Sequence, residues 1–330
     1  MRILIVHNSK IPAFLYGGTE RVIWCLGKEL IDMGHQVTFL VKNGSTCSFA
    51  PVIPIDENKE IISQLPAGFD IVHFHFDPGN LTQLNLPYVF TMHGNQNHLA
   101  PLDRNTIFIS KDQAHRFQSD CFVHNGLDWS TYTLPNFSVR RGYFHFLGNA
   151  AWRVKNVRGA IRVIRHTQAE KLKVLGGVRF NFNMGIRFTF SPRISFTGMV
   201  GGEKKDRLLN GSKGLIFPVR WPEPFGLAII ESLFYGCPVF GTPYGSLPEL
   251  VAAETGFLSS SQKDLVHAIE NADSFSREHC HHYARDLFNS KKMALGYLQK
   301  YETVLNGTAL HAQAPVLKQV QTEKFLPWLE

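Results

Sequence analysis

The stretch Arg220–Val251, RWPEPFGLAIIESLFYGCPVFGTPYGSLPELV, decides how the rest of the chain is read. Pro224 suits the first turn of a helix, where its missing N–H costs nothing. Leu227, Ile230, Leu233 and Phe234 recur at helical spacing and make one apolar face. Gly236 stands where a left-handed C-terminal cap is wanted, and Pro238 prevents continuation. Cys237–Phe240 is then a short buried strand, and GTPYGSLPE is a glycine-punctuated loop after it. A helix beginning near Phe225 aims N–H groups and the positive end of its dipole forward, and a pyrophosphate is the obvious guest. Glu223 lies just before this helix and Glu231 two turns along it. Carboxylates accept hydrogen bonds in pairs and suit vicinal sugar hydroxyls, although a cap and a surface charge would look the same.

Outward from this stretch, the composition sets bounds. A chain of 330 residues suits two domains rather than one core. Its 44% hydrophobic content is that of a globular protein. No apolar run approaches the ~20 residues that cross a bilayer. The opening MRILIVHNS is too short for a signal peptide and reads as a first strand. Cys25, Cys47, Cys121, Cys237 and Cys280 are dispersed with no C-x-x-C spacing, which predicts free thiols in a reducing cytoplasm. The net charge of +7 favours anionic partners: nucleotide phosphates, an acidic acceptor or the inner face of a membrane. It is spread along the chain, and no nucleic-acid-binding motif accompanies it.

Towards the N-terminus the pattern is βαβ. Arg2–His7 is a strand, a helix begins near Thr19, and Gln36–Val41 is the next strand. Gly17-Gly18 can let a phosphate or sugar approach the backbone, or can simply turn the chain. Asp70–His75 and Leu86–Met92 are further strands, with His93-Gly94 at the carboxyl edge where doubly wound sheets bind ligands. His73, His75 and His93 could be written as a metal cluster, but no acidic or cysteine ligand is placed beside them. In the second half, Tyr143–Gly148, Leu172–Gly176, Arg193–Gly198 and Gly214–Val219 read as strands. Leu265–Ile269, Cys280–Leu287 and Met293–Leu305 read as helices, with the histidines near His282 facing solvent.

The ordered string Glu223, Phe225-Gly226-Leu227, Glu231, Gly236-Cys237-Pro238-Val239 and Gly245 through Glu249 resembles the E-x7-E signature of retaining glycosyltransferases. These have the GT-B fold, and the likeness is to the large family numbered four. Other stretches agree: GGTER from Gly17 resembles the family's GG-x-E loop, and Thr91–Gly94 its T-x-H-G histidine. The resemblance covers roughly residues 1–305 and is weakest in 45–70 and 177–192. It implies an α/β chain with two Rossmann-like domains facing across a cleft. Their expected bounds are 1–138 on the acceptor side and 139–305 on the nucleotide-sugar side, with a tail over 306–330.

The implied activity is transfer of a hexosyl unit from a nucleoside diphosphate sugar to the hydroxyl of a glycan or glycolipid acceptor. The anomeric configuration would be retained, and neither metal nor other cofactor is expected. By resemblance Glu223 holds the donor sugar, Glu231 the ribose, His93 lies against the sugar and Lys155 grips the diphosphate. Gly17, Gly18, Phe225, Gly226 and Leu227 complete the donor site. The family's phosphate-binding arginine is replaced by Asn149, which lacks the guanidinium fork and charge. Arg153 or Arg158 would then substitute, or donor binding would weaken, or catalysis would be lost. Competing readings are a non-catalytic sugar-nucleotide-binding partner of another transferase and a nucleotide-sugar epimerase. A dehydrogenase is disfavoured because the first βα turn lacks G-x-G-x-x-G.

Overall fold

The computed structural model describes residues 1–13 and 17–330. Its residues form two compact units. One comprises Met1–Trp129 with Phe288–Gln321, the other Ser130–Leu287 with Thr322–Glu330.

In the first unit, strands β1 (Arg2–His7), β2 (Gln36–Lys42), β3 (Val52–Ile55), β4 (Ile71–Phe74), β5 (Tyr88–Met92) and β6 (Thr106–Phe108) form one sheet. Its order is β3-β2-β1-β4-β5-β6, with every pair parallel. Strands of such sheets are covered on both faces, which is why β1 reads as an unbroken apolar run over Ile3–Val6. Helix α1 (Gly18–Asp32) buries Val22, Ile23, Leu26 and Leu30, the face its spacing predicted. Ser110 caps the short helix α2 (Lys111–Arg116) by accepting from the Gln113 amide.

The second unit repeats this plan. Strands β7 (Tyr143–Leu147), β8 (Leu172–Leu175), β11 (Ile194–Phe196), β12 (Ser212–Phe217), β13 (Val239–Gly241) and β14 (Gly256–Leu258) form its sheet. A separate antiparallel hairpin of β9 (Phe180–Asn181) and β10 (Arg187–Phe188) interrupts the chain between β8 and β11. The parallel order is β11-β8-β7-β12-β13-β14, the order of the first sheet once the hairpin is set aside. Helices α3 (Val157–His166), α4 (Gly202–Asn210) and α5 (Leu227–Phe234) belong to this unit. Phe144, Phe146, Ile161, Ile164, Val174 and Phe240 are in its core.

The expected domain bounds need correction. The first unit ends at Trp129 rather than 138, and helix Ser290–Leu305 belongs to it rather than to the second unit. The physical reason is burial: Met293, Ala294, Tyr297 and Tyr301 are buried, and Tyr301 and Tyr297 bond to His73 and Thr91 of β4 and β5. The tail over 306–330 is also divided. Leu317 is in the first unit's core, while Trp328 packs against that of the second.

Candidate active site

In the second unit, polar groups gather beyond the carboxyl ends of β7 and β12. After β7, Asn149 turns the chain by accepting the Ala151 amide at 3.0 Å on its own side-chain oxygen. A single 3₁₀ turn, Arg153–Lys155, follows. Asn156 ends it at φ 55° and caps α3 by accepting from Gly159 N at 3.0 Å. This turn sends Lys155 to the loop after β12, where its Nζ donates to both oxygens of Glu223 at 2.8 and 2.6 Å. Trp221 Nε1 donates to the same carboxylate at 2.8 Å. The ammonium also lies 5.2 and 5.1 Å from the Phe217 and Trp221 ring centroids. Glu223 is only 5% exposed, so its charge is held by this partner set rather than by bulk water.

Glycine makes the loop possible. Gly245 sits at φ +63°, and a Cβ there would stand 2.2 Å from Glu223 N and 2.4 Å from its carbonyl oxygen. Ser246 N donates to that carbonyl at 2.9 Å. Helix α5 begins two residues later than Phe225: Gly226 is its N-cap, and Pro224 lies outside it. Pro224 therefore shapes the buried loop that carries Glu223, and does not occupy the first turn. The apolar face holds, with Ile230, Leu233 and Phe234 buried.

Glu231 is 2% exposed. Its Oε1 accepts from Tyr132 OH at 2.8 Å and from Lys205 Nζ of α4. Lys205 in turn stands 5.1 Å from the Tyr132 ring centroid. The structure thus brings Lys155 and Glu223 together and gives Glu231 a cation of its own. Arg153 goes elsewhere: its guanidinium lies 4.9 Å from the Phe325 ring, and Arg158 donates to the Ile186 carbonyl. Lys155 is the cation that Glu223 holds, and these two arginines point to other partners.

The first unit collects histidines at the matching place. His7 ends β1, while His75 and His93 follow β4 and β5. His75 Nδ1 and His93 Nε2 are 2.8 Å apart, and their rings stack at 5.1 Å. Glu20 of α1 approaches His7 at 3.9 Å. Its carboxyl is pushed up by burial but held below the ordinary range overall by His7. Burial, then the charge of His7, pushes the His93 imidazole down to about 3, with Glu20 opposing. His73 and His75 are driven well below the ordinary imidazole value by burial. His73 is bound on both sides, by Tyr301 OH and Thr91 Oγ1 at 2.7 Å each. Both ring nitrogens of His7 and Nε2 of His75 have no hydrogen-bond partner among the described residues. Gly17, before α1, is demanded by close approach, because a Cβ there would lie 2.5 Å from Ala13 Cβ. Gly18 opens α1 itself. Residues 14–16 of the preceding loop lie outside the described residues.

Among the described residues no group of three or more His, Cys, Asp or Glu is arranged to hold a metal ion. The histidines near His282 do not all face water: His281 is buried and its Nδ1 is 2.5 Å from the Phe234 carbonyl. Sequence reasoning left out Tyr132, Lys205 and His7 as site residues. His7 had a readable signal, its place at the carboxyl end of the first strand. Lys205 sits in the charged run GEKKDR, which reads as a solvated helix face.

These features define the class. The fold is GT-B, as in solved glycosyltransferase structures. The chain aligns with AviGT4, a glycosyltransferase involved in avilamycin A biosynthesis, at TM-score 0.73 and 19% identity, covering 93% of this chain and 98% of that one. Sucrose-phosphate synthase from Thermosynechococcus elongatus aligns at TM-score 0.72 and 17% identity, covering 93% and 100%. Anabaena HepE, solved in complex with UDP-glucose, aligns at TM-score 0.65 and 15% identity, with the same coverage. No curated protein matches the chain. Residues 141–272, all within the second unit, match the family of glycosyl transferases group 1.

Proposed function

We propose that this protein transfers a hexosyl unit from a nucleoside diphosphate sugar to a hydroxyl of a glycan or lipid-linked glycan acceptor, with retention and without a metal ion. The observation that carries this reading is the buried Lys155–Glu223 pair in front of α5. An ammonium beside a helix N-terminus suits a departing diphosphate, and a carboxylate beside it suits the sugar's hydroxyls. The solved complexes of HepE with UDP-glucose, and with UDP and glucose, support a nucleotide sugar as donor.

In the proposed step the bond from the anomeric carbon to the diphosphate breaks as the acceptor oxygen bonds to that carbon. The acceptor proton passes to the departing diphosphate. The transition state is oxocarbenium-like, so stabilising the leaving diphosphate in a preorganised site is the main catalytic contribution. Lys155 and the first amides of α5 supply that stabilisation. Glu223 orients hydroxyls rather than attacking carbon, because both of its oxygens are engaged by Lys155 and Trp221. Glu231, with Lys205 and Tyr132, is assigned to the ribose. His93 acts as a neutral hydrogen-bonding imidazole towards the sugar.

The test is incubation with UDP-, GDP-, ADP- and TDP-hexoses in EDTA with a panel of glycan acceptors, followed by NMR of the product. Transfer with unchanged anomeric configuration is expected. Inversion, dependence on added metal, or release of an altered nucleotide sugar without acceptor would each overturn the assignment.

A further inference from the structure

The hairpin between β8 and β11 is built inside out. Over Val178–Phe190 the apolar side chains Phe180, Phe182, Met184, Ile186, Phe188 and Phe190 are all exposed, Phe182 by 68% and Phe190 by 80%. Of the polar residues between them, Asn181, Arg187 and Thr189 turn inward and are buried, and Asn183 is exposed. That inner row is satisfied. Arg179 donates to the Thr189 and Ile194 carbonyls at 2.7 Å each, and Arg187 donates to the Val178 carbonyl at 2.9 Å. Asn181 Nδ2 donates to the Asn183 and Gly185 carbonyls at 2.7 and 2.9 Å. On the outer face the rings form a cluster, with Phe180–Phe188 centroids 5.8 Å apart and Phe182–Phe188 5.5 Å apart. A period-two strand normally turns its apolar row to the core, so this inversion marks a face made for a non-aqueous neighbour.

The base of the hairpin is strongly basic. A cavity of about 400 Å³ lies between it, α3 and the tail, lined by Arg153, Arg158, Arg162, Arg187 and Arg220. Asn181, Met184 and Gly185 of the hairpin line the same cavity. One carboxylate side chain is present, Glu330, which pairs with Arg162. Arg158, Arg162 and Arg165 are exposed and follow one another at i, i+4 and i+7 along one face of α3.

We propose that this face docks the protein on a bilayer of anionic phospholipids, the aromatic hairpin entering the headgroup–acyl boundary and the arginine-lined cavity taking a lipid phosphate. Apolar tips flanked by guanidinium groups combine burial with attraction to anionic headgroups, and neither alone holds a protein stably on a membrane. The arginine fork matches phosphate oxygens in pairs. This inference does not rest on the donor reading, and its test uses no transfer reaction.

The experiment is co-sedimentation of the full chain with vesicles of phosphatidylcholine alone and of phosphatidylcholine mixed with phosphatidylglycerol. Two double variants accompany it, Phe182→Ser/Phe190→Ser for the hairpin and Arg158→Gln/Arg162→Gln for the cavity. Binding to the anionic vesicles only is expected, weakened about tenfold or more by each variant and weakened by salt. Because Phe182 and Phe190 are exposed, the hairpin variant should melt at the wild-type temperature, which separates lost docking from lost folding. Glycerol 3-phosphate should compete with wild type. Equal sedimentation with both vesicle types, wild-type binding by either variant, or no binding at all would overturn the proposal. So would a lipid-free dimer that the hairpin variant dissolves, since the face would then be a contact between copies.

Discussion

The two units share one strand order yet treat the polar groups beyond the carboxyl ends of their strands in opposite ways. The first keeps the imidazoles of His75 and His93 beyond β4 and β5, and burial drives both below the ordinary imidazole value. The second keeps its groups as ion pairs, Lys155 with Glu223 and Lys205 with Glu231. The same backbone thus presents neutral hydrogen-bonding groups in one unit and fixed charges in the other. Desolvation alone neutralises a group, whereas desolvation with a partner at hydrogen-bond distance preserves its charge. A departing diphosphate needs charge, and a sugar hydroxyl needs only a hydrogen bond. Under the proposed function, the difference between the units would match that division of labour.

The largest test of this contrast is Lys155→Ala. It leaves Glu223 buried without its cation, so unfolding in urea should show a loss of about 3 kcal/mol. Steady-state transfer should fall by about 100-fold or more. A variant as stable and active as wild type would remove the charged half of the comparison. Glu231→Ala strands Lys205 in the same way, and a loss of about 3 kcal/mol in urea unfolding is expected, with weaker donor binding by calorimetry. The pair replacement Glu231→Leu/Lys205→Met should recover most of that stability while donor binding stays weak. Recovery of both would make the pair purely structural.

Neutral imidazoles buried within the sheets of both units predict a pH response. His145, buried between Ser212 and Ser232, is pushed down from 6.5 to about 3 by burial and then by Arg141. His73 shifts the same way. The unfolded chain takes up these protons below 6.5 while the folded chain does not. Stability is therefore full above that value and lost as pH falls towards 3, by about 1.4 kcal/mol per pH unit for each such histidine. Urea midpoints measured between neutral and about pH 5 should fall steeply, and less steeply in His145→Gln. A flat profile would contradict burial as the cause. The smallest effect is expected for His93→Gln, which keeps a hydrogen-bonding group without an imidazole. About a tenfold loss in kcat with little change in melting is predicted. A large loss of stability instead would make His93 a packing residue.

Much of the architecture was readable because parallel strands covered on both faces are apolar runs, such as Ile3–Val6 and Leu215–Phe217, broken by glycine. The Glu223 loop was readable as well, since its prolines and glycines are punctuation. The start of α5 was misplaced because Pro224 fits a loop as well as a first turn. Helix Ser290–Leu305 was visible as a helix, but its membership of the first unit depends on Tyr297 and Tyr301 meeting β4 and β5, which periodicity does not encode. Tyr132 and Lys205 were invisible for a similar reason: one is in a linker, the other in a charged helix, and only the fold joins them at Glu231. The hairpin defeats pattern reading from the other side. Its alternation is regular, but the row that periodicity would bury is the exposed one.

The donor reading turns on Lys155, held by Glu223 in front of α5, gripping the donor's diphosphate. Isothermal titration calorimetry with UDP-glucose and the other nucleotide sugars, in EDTA, tests this most directly when wild type and Lys155→Ala are compared. Metal-free binding of one nucleotide class by wild type is expected, with a loss of about 100-fold or more in the variant. Equal affinity for the two proteins, or binding that requires added metal, would contradict it.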